Sequence, residues 1–228
     1  MDALLNRLVL GGVAELQSRC PEGGSFEQCW GLGIALPAFG GTLDEGEAML
    51  DGLQRLGVEV SHVRSVVGCA GRLNQDFARG MSKLMFDLRY FEDLLRDARA
   101  ASGESLDAWC GMVGGIRKYG ARFAADLGEP MVLEERKGLS AYALPEIGHV
   151  RFEVKADAKH LPVALASMFG KYVRELWMLR INEFYRKQLP ALRACSGYHD
   201  SVSKRFVTET EALRLKLGIV NTCFERNR

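Results

Sequence analysis

The chain has 228 residues, 47% of them hydrophobic, and balances 30 Lys and Arg against 29 Asp and Glu for a net charge of +1. That length suits one well-buried core and is short for two domains, and the composition is ordinary for a soluble globular protein. No apolar run approaches the roughly 18 residues that cross a bilayer, and Met1-Asp2-Ala3-Leu4 has no basic segment of a secretory signal. No membrane partner and a cytoplasmic location are therefore expected. Cys20, Cys29, Cys69, Cys110, Cys195 and Cys223 form no C-x-x-C pair and no zinc spacing, so they are read as thiols.

Thr42 with Glu45 three residues later fits a capping box opening a helix that runs to about Leu56. Val58–Val67 reads as a strand. Phe77, Met81, Leu84, Met85, Leu88, Phe91 and Leu95 recur at helical spacing and predict one long helix over about 75–99. Leu106–Val113, ending in Gly114-Gly115, reads as a buried strand, and Met131–Glu134 and Ser140–Leu144 as two more. Val150, Phe152, Val154 and Ala156 alternate with charged residues, the period of a strand half in water. Such a strand delivers Asp157 at its end. A helix follows over about Pro162–Leu189, with Ala166, Phe169, Val173, Leu176, Trp177, Ile181 and Phe184 as its apolar face. The last helix, about 202–217, buries Val202, Phe206, Leu213 and Leu217. No repeat or linker interrupts the series, so residues 1–228 read as a single domain. Strands alternating with helices predict an α/β fold with a mixed sheet flanked by helices.

Charge is unevenly spread. Residues 151–228 carry 15 Lys and Arg against 8 Asp and Glu, a net of +7, which leaves 15 against 21, a net of −6, for residues 1–150. A basic block suits a polyanion partner, and it equally suits a solvated surface.

The stretch Lys155-Ala156-Asp157-Ala158-Lys159-His160-Leu161-Pro162-Val163-Ala164-Leu165-Ala166-Ser167-Met168-Phe169-Gly170-Lys171-Tyr172-Val173-Arg174-Glu175 resembles the type 2 ribonuclease H (ribonuclease HII/HIII) family. In that family an acidic residue ends a strand and an Ala-rich helix with A-S and a later cation follows. Downstream, Ser196-Gly197-Tyr198-His199 resembles the family's G-Y loop, and Thr222-Cys223-Phe224-Glu225-Arg226 resembles its closing R-x-S-F segment, with Cys223 in place of serine. The match runs from about Val150 to the C-terminus. It implies a ribonuclease H-like sheet and a protein that acts on or binds RNA–DNA hybrid. As carried over from the family, Asp157 is a catalytic carboxylate and metal ligand and Lys171 a second catalytic residue. Ser167, Lys171, Arg174, Tyr198 and His199 then meet the nucleic acid, with Tyr198 packed beside a ribose. The family's chemistry is endonucleolytic hydrolysis by two Mg²⁺ (or Mn²⁺) ions about 3.5–4 Å apart, held by clustered carboxylates.

Read without the family, Asp157 suits the cap of a turn. Lys171 and Arg174 then suit a solvated helix face, and His160 and His199 suit an ordinary surface. The family's first strand, running into D-E-x-G-x-G-P, is missing, which makes the expected fold N-terminally incomplete. Leu43-Asp44-Glu45-Gly46-Glu47 imitates that motif but sits at the capping box. Cys110-Gly111-Met112 carries no acid where a third carboxylate is expected, and Asp107 lies about 13 Å back along a strand. Either the chain is truncated or it is a degenerate relative, and the missing third acid favours degeneration. The leading expectation is hybrid binding with little hydrolysis. An active Mg²⁺-dependent hybrid endonuclease and a non-catalytic structural or protein-interaction module are the alternatives.

Overall fold

The computed structural model describes residues 27–30 and 38–227; Met1–Leu4 and Cys20 lie outside the described residues. Along the chain run α1 (Glu27–Trp30), α2 (Leu43–Arg55), α3 (Ala70–Ala78), α4 (Lys83–Ser102), β1 (Leu106–Gly111), β2 (Met131–Arg136), β3 (Leu139–Leu144), β4 (Gly148–Glu153), α5 (Leu161–Gln188), α6 (Ser201–Lys216) and α7 (Asn221–Phe224). The protein is mixed α/β, with a four-stranded mixed sheet and helices around it. Asp76–Gly170 form one compact unit, and the described residues up to Gln75 together with those from Lys171 onward form another. Cys69, Cys110 and Cys195 are free thiols.

The sheet unit is ordered β1-β4-β3-β2, with β1 parallel to β4 and the other pairs antiparallel. Strand alternation sends Cys110, Val150, Phe152, Tyr142 and Leu144 to one side, where they join Leu88 and Leu95 of α4 in a buried cluster. Tyr119 stacks on Phe152 at 4.2 Å between ring centres and completes this core. Burial pushes the Cys110 thiol up to about 12, which keeps it an apolar, unreactive side chain. The edge strand β2 exposes Met131, Val132 and Leu133, and a bulge breaks its register between Val132 and Glu134.

The helical unit packs Phe184, Tyr185, Leu192, Cys195 and Phe206 in its core. Its largest fully buried side chain is a charged one: Arg214 is 2% exposed. The guanidinium donates to the Val207 carbonyl at 2.9 Å, to the Asn221 side-chain oxygen and to the Thr210 hydroxyl, and it lies 4.3 Å from the Phe224 ring centre. Asn74 binds the C-terminal segment, donating to the carbonyls of Thr222 and Glu225 and accepting from the Asn227 N–H at 2.7–2.8 Å.

Helix α2 opens on the capping box read from the sequence, with Thr42 accepting from the Glu45 N–H and Glu45 accepting from Thr42. Leu43–Glu47 is therefore the first turn of a helix. Four expectations need correction. Val58–Val67 forms no strand: its residues are extended or irregular, and none pairs in the sheet. β-branched residues supply the local preference for a strand, but a strand needs a ladder partner. The single helix over 75–99 is two, α3 and α4, because Gly80 (φ 84°) turns the chain and Ser82 caps a new start by accepting from the Met85 N–H. The apolar spacing crosses the break without a sign of it. On α5, Phe169, Val173 and Phe184 are buried as read, and Ala166 is exposed. On α6 the buried row is Phe206, Thr210 and Arg214 at every fourth residue, while Leu217 is 39% exposed.

Candidate nucleic-acid interface

The strand expected over Val150–Ala156 stops at Glu153. Its partner β3 begins at Leu139, which pairs with Glu153, and one further bond, from the Val154 N–H to the Gly138 carbonyl, ends the ladder. Lys155 then adopts a left-handed conformation (φ 56°). Asp157 consequently sits in a 3-10 turn, Ala156–Ala158, with its side chain exposed. The alternating residues continue past the point where backbone partners run out, and the sequence has no mark for that point.

Glu153 is the carboxylate at the strand end. Its side chain accepts from Lys159 and, at 2.7 Å, from His160 Nε2. These two contacts, Lys159 first, hold the Glu153 carboxyl below its ordinary range. His160 in turn stacks on Trp109 with ring centres 3.8 Å apart. The Arg151 guanidinium lies 4.9 Å from the same Trp109 ring and pairs with Asp107. These residues line the face of β1 and β4 opposite the core, because Trp109 pairs with Arg151 and Gly111 with Glu153 in register. The sequence reading passed over Glu153 and Trp109 as site residues and assigned His160 to an ordinary surface. The period-two pattern does place Trp109 and Glu153 off the apolar face, but only the strand pairing makes them neighbours.

Two Mg²⁺ ions need several oxygen ligands in one place. Among the described residues, no three His, Cys, Asp or Glu side chains converge where a metal would bind. Asp157 is exposed, and the oxygens of Glu153 are taken by Lys159 and His160. This donor set does not fit a two-metal centre, and no hydrolytic step follows from it. Asp157 and Ser167, exposed on the first part of α5, belong to the sheet unit, whereas Lys171, Arg174, Tyr198 and His199 belong to the helical unit.

In the helical unit, Arg174 and the Ser196–Tyr198 loop form one assembly. Arg174 donates to the Ser196 carbonyl at 2.5 Å and to Glu175 at 2.6 Å, and its guanidinium lies 3.8 Å from the Tyr198 ring centre. Gly197 takes φ 70°, and a Cβ there would lie 2.6 Å from Met178 Sδ, so this turn favours glycine. Ser196 donates to Asp200, which caps α6 by accepting from the Ser203 N–H at 2.7 Å. The Ser203 N–H and the Ser196 hydroxyl hold the Asp200 carboxyl below its ordinary range. Asn182 closes the other side, donating to the Cys195 carbonyl and accepting from its N–H, both at 2.9 Å. The loop is thus fixed at three points, and it leaves Tyr198 56% exposed. Lys171 is exposed three residues before Arg174 on α5, a spacing that keeps the two on neighbouring parts of the helix surface. Phe224, the retained aromatic of the closing segment, packs on Tyr185 and stacks on Phe206. Compared with known proteins, the chain matches no family model, no curated protein and no solved structure.

Proposed function

We propose that the chain is a ribonuclease HII/HIII-like protein that binds RNA–DNA hybrid and hydrolyses it very poorly. The observation that carries the reading is the loop held by Arg174, which presents Tyr198 with most of its side chain in water. An aromatic fixed in this way loses little conformational freedom when it packs on a sugar. Recognition of RNA beside DNA depends on the 2′-hydroxyl, and an aromatic at the ribose supports it. Exposed Lys171 supplies a charge for a phosphate. The net +7 of residues 151–228 favours a polyanion through counterion release. Arg174 is spent on the loop, so its role is to position Tyr198 rather than to meet phosphate.

Fluorescence anisotropy with a labelled hybrid and a DNA duplex, at several salt concentrations, tests this reading. The full chain should bind weakly, with affinity that falls steeply as salt rises. Lys171→Ala should lower the salt slope by about one. Tyr198→Ala should leave that slope unchanged and reduce the preference for hybrid. Absence of binding at low salt would overturn the reading in favour of a structural or protein-interaction module. Robust Mg²⁺-dependent cleavage that Asp157→Asn abolishes would overturn its non-catalytic part.

A further inference from the structure

The loop that follows β1, Gly114-Gly115-Ile116-Arg117-Lys118, lies in the sheet unit and takes no part in the interface described above. Gly114 and Gly115 both have positive φ, 61° and 67°. A Cβ on Gly114 would lie 2.7 Å from Leu84 Cδ1, whereas the space around Gly115 is open. The first glycine therefore suits a left-handed turn packed close to Leu84, and the second leaves the backbone accessible. The hydrogen-bonded turn at Gly114-Gly115 directs the Ile116 N–H back toward Val113, and among the described residues no group accepts a hydrogen bond from the backbone N–H groups of Gly114, Gly115, Arg117 or Lys118. Successive free N–H groups in a turn with left-handed residues make a concavity that suits anions.

The loop is anchored from beneath by buried hydroxyls. Tyr119, fully buried, donates to the Val113 carbonyl at 2.8 Å and accepts from the Val113 N–H at 3.0 Å. Ser140, also fully buried, donates to the Arg117 carbonyl at 2.6 Å. Tyr142 accepts from the Tyr119 N–H at 2.8 Å and donates to Glu135 at 2.6 Å, which turns that carboxylate to the hydroxyl. Burial and the Glu135 contact push the Tyr142 hydroxyl up to about 12, so it stays protonated and keeps donating. Above this base the side chains of Arg117, Lys118 and Arg122 are exposed. Arg122 donates to the Lys118 carbonyl at 2.7 Å, and no carboxylate among the described residues pairs with any of the three. A buried anchor, open backbone donors and three unpaired cations within six residues are the elements of a phosphate site. The loop leaves the carboxyl end of β1, which runs parallel to β4, a common place for ligands in α/β sheets.

We propose that the Gly114–Arg122 segment binds the phosphodiester backbone of a nucleic acid. This assignment rests on the nucleic-acid reading above and adds a second contact surface to it. The test is anisotropy of the full-length chain with a labelled RNA–DNA hybrid across a salt series. It compares wild type with Arg117→Ala/Lys118→Ala and with the charge-keeping exchange Arg117→Lys/Lys118→Arg. The alanine pair should lower the salt slope by about two, one for each lost phosphate contact, with an unchanged circular dichroism spectrum, and the exchange should restore the slope. Wild-type binding with an unchanged slope in the alanine pair overturns this proposal alone. A reduced slope there, with Lys171→Ala and Tyr198→Ala both silent, supports the loop and overturns the Tyr198 interface. No wild-type binding overturns both. Calorimetry with inorganic phosphate forms the last arm: a chain that binds the free ion and ignores the hybrid carries a small-anion site, which overturns the polymer assignment.

Discussion

In the sheet unit the residues buried deepest are rings and aliphatic chains: Phe152, Tyr119, Tyr142, Leu88, Leu127 and Val150. Its buried hydroxyls serve as pins, each tied to a backbone group of the loop beyond β1. In the helical unit Arg214, Gln28, Thr210 and Tyr185 are buried to the same depth, and the Tyr185 hydroxyl donates to Gln28 at 2.6 Å. Burial pushes the Tyr185 hydroxyl well above its ordinary value. The first unit is held by area removed from water, which is non-directional and tolerant of shape. The second is held by a buried charge that neutral oxygens satisfy, an arrangement that depends on geometry and leaves costly orphans when broken.

The comparison is sharpest at the two centres. Phe152→Ala removes a fully buried ring against Tyr119, Phe91 and Phe123 and should cost about 3–5 kcal/mol, measured by urea denaturation. A loss below about 1 kcal/mol would show that the sheet core is not the anchor described. Arg214→Ala should cost about 3 kcal/mol, because it leaves a cavity and removes the donor to the buried Thr210 hydroxyl and the half-buried Val207 carbonyl. Arg214→Met refills the volume and spares the cost of burying a charge, so it should recover more than half of that loss. If methionine does no better than alanine, the hydrogen bonds of the guanidinium carry the stability and packing does not.

The same contrast explains what could be read from the sequence. The sheet unit announced itself: β1, β2 and β3 follow short apolar runs bounded by turn residues, a signal carried by neighbours in the chain. The capping box at Thr42 and the extents of α5 and α6 were legible for the same local reason. The burial of Arg214 was not. Arginine reads as exposed by default, and the acceptors at Thr210, Val207 and Asn221 gather only once α6 and α7 have formed. The end of β4 was misread because ladders stop where the partner strand stops. Of the candidate site, the sequence supplied Arg174 and Tyr198 as separate matches, and their contact through the Ser196 carbonyl needed the fold.

Two smaller effects test the comparison further. Asn74→Ala removes three hydrogen bonds to the C-terminal segment. These groups can turn to water, so the loss should be about 1–2 kcal/mol, with faster amide exchange at Asn227 and little change in the sheet unit. The smallest effect concerns acid. The Glu153 carboxyl is held below its ordinary value by Lys159 and His160, so its contribution is complete above that ordinary value, about 4.3, and fades as pH falls through the lowered one. Melting temperatures should therefore decline below about pH 4.3, and Glu153→Gln should flatten part of that decline. A variant with the same acid limb as wild type would show that the contacts of Glu153 add nothing to stability.

Strand β2 has a consequence for behaviour in concentrated solution. An open strand edge with Met131, Val132 and Leu133 turned outward is a template on which a second chain can add its own strand, the first step toward aggregates. The bulge between Val132 and Glu134 puts this apolar run out of step with the rest of the strand, and Glu134 and Arg136 place charges directly after it. Irregularity there works as a guard: a substitution that straightened β2 would leave the fold intact and raise the chain's tendency to aggregate.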